Sequence, residues 1–208
     1  MVGSLRRLAA EVLAYSQRIG RLDLAPNTQG NLSARDPESG LVVITPHDHP
    51  YEAMTVDDLV VVDLGGAQVG GGREPSHETA VHCAVYRNRP EVRAIVHAEP
   101  IHVNVFGVIG EPIPAVVVSQ LLAVGGPTPV MPFMPSGSEA FGLEMLRVMG
   151  EAKAVVWANH GCLTIGKDLE AAFRVTVALE GGAKIACWAK AVGTPRSLTM
   201  ADLATAVG

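Results

Sequence analysis

Apolar residues open the chain at the three- and four-residue spacing of a helix: Leu5, Leu8, Ala9, Val12 and Leu13 share a face, and Gly20 stands where such a helix stops. Two short extended stretches follow, 30–34 and 41–45, separated by Asp36-Pro37-Glu38-Ser39-Gly40, a sequence of turn formers that predicts a β-hairpin. Thr55 before Val56-Asp57-Asp58 reads as a helix cap with acids in the first turn, and the β-branched run 59–64 is too short for a helix and predicts a strand. Pro75-Ser76 opens a second helix with apolar Ala80, Cys83, Ala84 and Tyr86, and Pro90 ends it by Arg89. A buried strand at 92–96 runs into His97-Ala98-Glu99-Pro100. Beyond it the pattern predicts a helix over 138–149, a strand at 154–157, a tight turn at Asn159-His160-Gly161, a strand at 162–165, and a long helix capped by Asp168 and reaching about residue 191. With no repeat and no linker, the order is that of one α/β domain over residues 1–208, a partly antiparallel sheet covered by helices.

Composition narrows the function classes. Net charge is −5, and the 16 Lys plus Arg are spread thinly, so no basic stripe exists for nucleic acid. The three cysteines are odd in number, far apart and never paired as C-x-x-C, which points away from disulfides and zinc ribbons and towards a reducing cytoplasm. Arg6, Arg7, Glu11 and Arg18 make the first helix amphipathic, unlike a signal peptide. Apolar residues form 48% of the chain and charged ones only 18%, a surplus that suits surface buried against other subunits. Much of it sits in the charge-free stretch 112–138, whose six prolines and three glycines exclude a lipid-spanning helix. Subunit contact is the expected use.

Alternation along a strand places residues two apart on one face, so His97 and Glu99 can point at one ion. His160, in a sharply bent turn, supplies a third donor. Two imidazoles and one carboxylate leave coordination positions for water or substrate, as in a catalytic rather than a structural divalent site.

Further matches are ordered along the chain: Gly30-Asn31-Leu32-Ser33, Ile44-Thr45-Pro46, Pro50-Tyr51-Glu52, Pro75-Ser76-His77-Glu78, Arg89-Pro90, Ala94-Ile95-Val96-His97, Ile113-Pro114-Ala115 and Ala158-Asn159-His160-Gly161. In these motifs the sequence resembles the class II aldolase/adducin family, over about residues 30–184. The resemblance implies a three-layer α/β/α domain with a mostly antiparallel central sheet, and a homotetramer with active sites between subunits. It also implies a divalent metal, zinc first, with Fe2+ and Mn2+ admitted by a carboxylate ligand.

Under this resemblance His97 and His160 are metal ligands and Glu78 is the catalytic acid/base. Glu99 takes the place of the family's second metal histidine, and His102, three residues on, is the alternative ligand. Gly30, Asn31 and Ser76 match the family's phosphate-holding residues, whereas His47-Asp48 stands where the family has a Thr/Ser-Gly turn and His77 where it has a second serine. The family's tyrosine acids, one after I-P-A and one near the C-terminus, have no counterpart. The implied activity is that of a divalent-metal-dependent lyase cleaving a carbon–carbon bond in a small hydroxy-keto, sugar-like substrate. Decarboxylation or dehydration of a keto acid, two-His one-carboxylate iron chemistry, and a non-catalytic binding or scaffold role stay open at this point.

Overall fold

The structure is a computed structural model and describes residues 3–204. The predicted first helix is α1, Gly3–Arg21. The hairpin forms as β1, Asn31–Arg35, and β2, Val42–Ile44, and the next strand is β3, Val60–Val62, preceded by a single 3-10 turn at Val56–Asp58. After β4, Gln68–Gly70, come α2, Thr79–Asn88, β5, Ala94–Ala98, α3, Ile101–Ile109, and α4, Val118–Val124. The chain continues as β6, Val130–Met131, α5, Glu139–Met149, β7, Ala154–Trp157, β8, Gly161–Gly166, α6, Leu169–Val192, and α7, Met200–Ala204. The eight strands form one sheet in the order β4-β3-β2-β1-β5-β8-β7-β6, antiparallel throughout except for the β6–β7 pair.

Period-two alternation sets the layers. Leu32, Ala34, Val43, Ala94, Val96 and Ala98 pack against α1 and α6 on one face, which Ala154, Val156 and Cys162 extend beneath α3 and α6. Val42, Ile44, Ile95, Val155, Trp157, Leu163 and Ile165 pack against α2 and α5 on the other. The result is the three-layer α/β/α arrangement with a mostly antiparallel sheet.

Three helices, α3, α4 and the short α7, have no counterpart in the predicted order. α3 and α4 lie where the sequence shows apolar residues without a single stripe, and each ends at a left-handed glycine, Gly110 (φ 69°) and Gly125 (φ 101°). The exposed apolar surface is also wider than the charge-free stretch. That stretch exposes Val118, Leu122 and Phe133, but Ile101, Val105, Val108 and Ile109 of α3 and Trp188 and Val192 of α6 are exposed too. All three cysteines are free thiols, and among the described residues no helix is long and apolar enough to cross a membrane.

Candidate metal centre

His97 sits near the end of β5, the strand at the middle of the sheet, with Asn31 and Leu163 as its cross-strand neighbours. Alternation turns its side chain to the α2/α5 face, where the imidazole stacks on Trp157 with ring centroids 4.5 Å apart. Its Nδ1 lies 3.0 Å from the carbonyl oxygen of Cys162. That carbonyl can only accept, so Nδ1 carries the hydrogen and the ring is oriented with Nε2 towards the cleft, as in a metal-binding histidine.

His160 reaches the same place from the three-residue loop between β7 and β8. Asn159 takes the left-handed conformation that such a hairpin loop needs (φ 59°), and the His160 amide donates to the Trp157 carbonyl at 3.1 Å. The loop approaches β5 so closely that a methyl group on Gly161 would lie 2.5 Å from the Ala98 carbonyl oxygen and 3.1 Å from Cε1 of His97. Gly30 does the same from the other side: a Cβ there would lie 2.6 Å from the His97 carbonyl oxygen. These two glycines let three chain segments converge on one histidine.

Glu78 caps the start of α2 and is buried. Its Oε2 accepts a hydrogen bond from Asn31 Nδ2 at 2.8 Å and lies 3.3 Å from His97 Nε2, while its Oε1 lies 3.6 Å from His160 Nε2. Ligand atoms of Glu78, His97 and His160 all lie within 4.8 Å of one another. Burial alone would raise the Glu78 pKa, but His97, the Asn31 amide and His160 outweigh it and hold the carboxyl below its usual range. The His160 pKa is pushed down, chiefly by burial and by His97.

Glu99, read as the third ligand from strand alternation, lies just beyond the strand. β5 ends at Ala98, and the Glu99 amide turns away to bond the Leu24 carbonyl, so Glu99 does not share the strand face with His97. The carboxylate that completes the tightest group is that of Glu78. Glu99 still lines the same cleft, with Oε1 3.9 Å from His160 Nε2 and its pKa raised, first by burial. His102, the alternative ligand, does not join the group. It opens α3, and its Nδ1 lies 2.6 Å from Glu180 Oε1 on α6, whose carboxylate also accepts from the amides of His102 and Val103.

A cleft of about 220 Å3 opens over these residues. Gly30, Asn31, His47, Ser76 and His77, read from the sequence, all line it, together with Asp48. Thr28, Gln29 and Ser136 line it too and were not foreseen. The one local sign of Ser136 was the glycine after it, since Gly137 takes φ 92° and packs on the His77 carbonyl.

Comparison with known proteins agrees with this geometry. Residues 10–187 match the family described as Class II Aldolase and Adducin N-terminal domain. The 5-deoxy-D-ribulose 1-phosphate aldolase of Bacillus thuringiensis serovar kurstaki is 31% identical over 195 residues, 93% of this chain and 91% of that protein. An L-ribulose-5-phosphate 4-epimerase, UlaF, of Salmonella paratyphi C is 32% identical over 199 residues, 90% of this chain and 87% of its own. A solved L-fuculose 1-phosphate aldolase superposes with a TM-score of 0.91 at 31% identity, over 99% of this chain and 95% of that one. With the motifs, the sheet order and these matches in agreement, the chain belongs to the class II aldolase and adducin family.

Proposed function

We propose that this chain is an enzyme, a divalent-metal-dependent lyase of the class II aldolase type that breaks a carbon–carbon bond in a small hydroxy-keto, sugar-like substrate. The observation that carries the reading is the convergence of His97 Nε2, His160 Nε2 and the Glu78 carboxylate within 4.8 Å, in a cleft of a chain whose relatives are named aldolase and epimerase. The donor set fits a divalent ion: two imidazoles, one fixed by the Cys162 carbonyl, and carboxylates beside them. We take His97, His160 and Glu99, whose Oε1 lies 3.9 Å from His160 Nε2, as the residues that would hold the ion, with Glu78 beside them left to carry the proton, and zinc, Fe2+ or Mn2+ suits a mixed nitrogen and oxygen set. When bound, such an ion stabilises negative charge developing on a substrate carbonyl oxygen.

Glu78 is the acid/base group. Anchored by Asn31 and kept ionised by its neighbours, it collects the proton of the substrate hydroxyl beside the breaking bond. The bond's electron pair stays on the fragment that keeps the carbonyl, and Glu78 returns the proton to that fragment at carbon. The exposed apolar residues of α3, α4 and α6 support a homotetramer of this single domain, with active sites at subunit interfaces.

The reading is tested by screening ketoses for aldehyde release through a coupled reduction. Aldehyde release that stops on chelation, returns with added metal and falls at least 100-fold in Glu78→Gln is expected. Carbon dioxide release from keto acids in its place, or aldehyde release indifferent to chelator, overturns it.

A further inference from the structure

The relatives above are all named for sugar phosphates. Resting on the lyase reading, we propose that this chain departs from them and acts on an unphosphorylated substrate: the wall made by His47, Asp48 and His77 receives a hydroxyl-bearing end and excludes a phosphate monoester.

The first ground is charge. Three carboxylates line the cleft, Asp48, Glu78 and Glu99, and among its described lining residues there is no lysine or arginine. A phosphate monoester brings close to two further negative charges at neutral pH, and one divalent ion does not offset the carboxylates already present.

Backbone geometry is the second. Asp48 sits at φ 44°, in the left-handed region that glycine adopts freely and an aspartate seldom does. A glycine there would let an anion approach the bare backbone, whereas Asp48 adds a side chain with a negative charge at the cleft wall. The amides of neighbouring His47 and Ser76 are already committed, to the carbonyls of Glu74 and Thr45, and the Glu78 amide bonds Ser76 Oγ. Those three donors are not free to cradle an anion.

The third is the pair of rings. His47 and His77 stack with centroids 3.6 Å apart and planes 17° from parallel. Each ring covers one face of the other, leaving edges and outer faces open, and His77 Nε2 is drawn to Glu74 at 3.3 Å. Ring edges, the Ser76 and Ser136 hydroxyls and the Asp48 carboxylate form a mixed donor and acceptor wall suited to hydroxyl groups, each of which both donates and accepts.

Calorimetry on the metal-loaded full chain with dihydroxyacetone and dihydroxyacetone phosphate separates the cases without relying on turnover. Wild type is expected to bind the phosphate no more tightly than the free ketose. Asp48→Gly, which relieves the backbone, and Asp48→Asn, which keeps the side-chain shape, are expected to bind the phosphate at least ten-fold more tightly than wild type and to bind the free ketose more weakly than wild type. Tenfold preference of wild type for the phosphate, or no gain in either variant, overturns the proposal. Failure of every ketose to release aldehyde would instead overturn the lyase reading, leaving the binding preference to stand or fall on its own numbers.

Discussion

Replacing Gly161 with alanine puts a methyl group 2.5 Å from the Ala98 carbonyl oxygen, 2.9 Å from Glu99 Cγ and 3.1 Å from His97 Cε1. The nearest of these is backbone in the central strand β5 and cannot swing aside. Ordinary contact begins at 3.4 Å, so the start of β8 and the His160 loop must withdraw by nearly 1 Å. Overpacking of this kind costs about 1–3 kcal/mol of stability. Metal ligation is less forgiving, since ligand distances tolerate only about 0.2 Å. Displacing His160 from His97 should therefore lower metal affinity by about 10–100-fold, the range seen when a ligand loses its support. Urea unfolding and a chelator competition measure the two effects on the same protein, with Gly72→Ala as control because a Cβ there meets nothing within 4 Å. A Gly161→Ala protein that unfolds at the wild-type urea concentration and holds its metal within two-fold of wild type would refute the convergence of these segments.

His102→Ala should keep its metal while His160→Ala loses it, because the His102 ring is held on Glu180 and stands outside the ligand group; metal analysis of both variants decides. Asn31→Ala removes a donor that stabilises the ionised Glu78 carboxyl, so its pKa rises and the acid limb of the kcat/KM profile moves to higher pH. Buried His82, bonded to Ser33 Oγ at 2.7 Å, has its pKa pushed down to about 3 by burial. Between about pH 6.5 and pH 3 the unfolded chain therefore binds a proton that the native one does not, and this residue makes stability fall with falling pH by up to about 1.4 kcal/mol per unit, with no effect above that window. Urea melts of His82→Gln should show a correspondingly weaker acid dependence, and an unchanged one contradicts the assignment. On α6, Gly181→Ala meets open space and should stabilise by up to about 1 kcal/mol, whereas Gly182→Ala collides with buried Gln120 and should destabilise, a contrast readable in thermal melts.

Local pattern made the strands and capped helices legible because each carries its own period or punctuation: the Asp36–Gly40 turn, Pro90 after α2, and Asp168, whose carboxylate accepts from the Ala171 amide at the start of α6. α3 was missed because apolar residues surround it, leaving no polar face to reveal the period, although Gly110 marked its end. His97 and His160 were readable from their places at a strand end and a turn. That Glu78 joins them came from the family resemblance alone, because α2 is brought to β5 by packing on the sheet, and no local spacing records a contact across the Asn31–Glu78 bridge. Glu99 reaches the cleft by a route that strand alternation does not describe. Two-residue spacing is a sound guide only while the strand lasts, and β5 stops one residue short of it.

Metal content of the purified chain, compared with that of His97→Ala and His160→Ala, tests the central claim most directly. One divalent ion per wild-type chain, lost in both variants while their folds persist by circular dichroism, is the predicted result. A wild-type protein that takes up no stoichiometric divalent ion, or variants that retain it, would contradict the account.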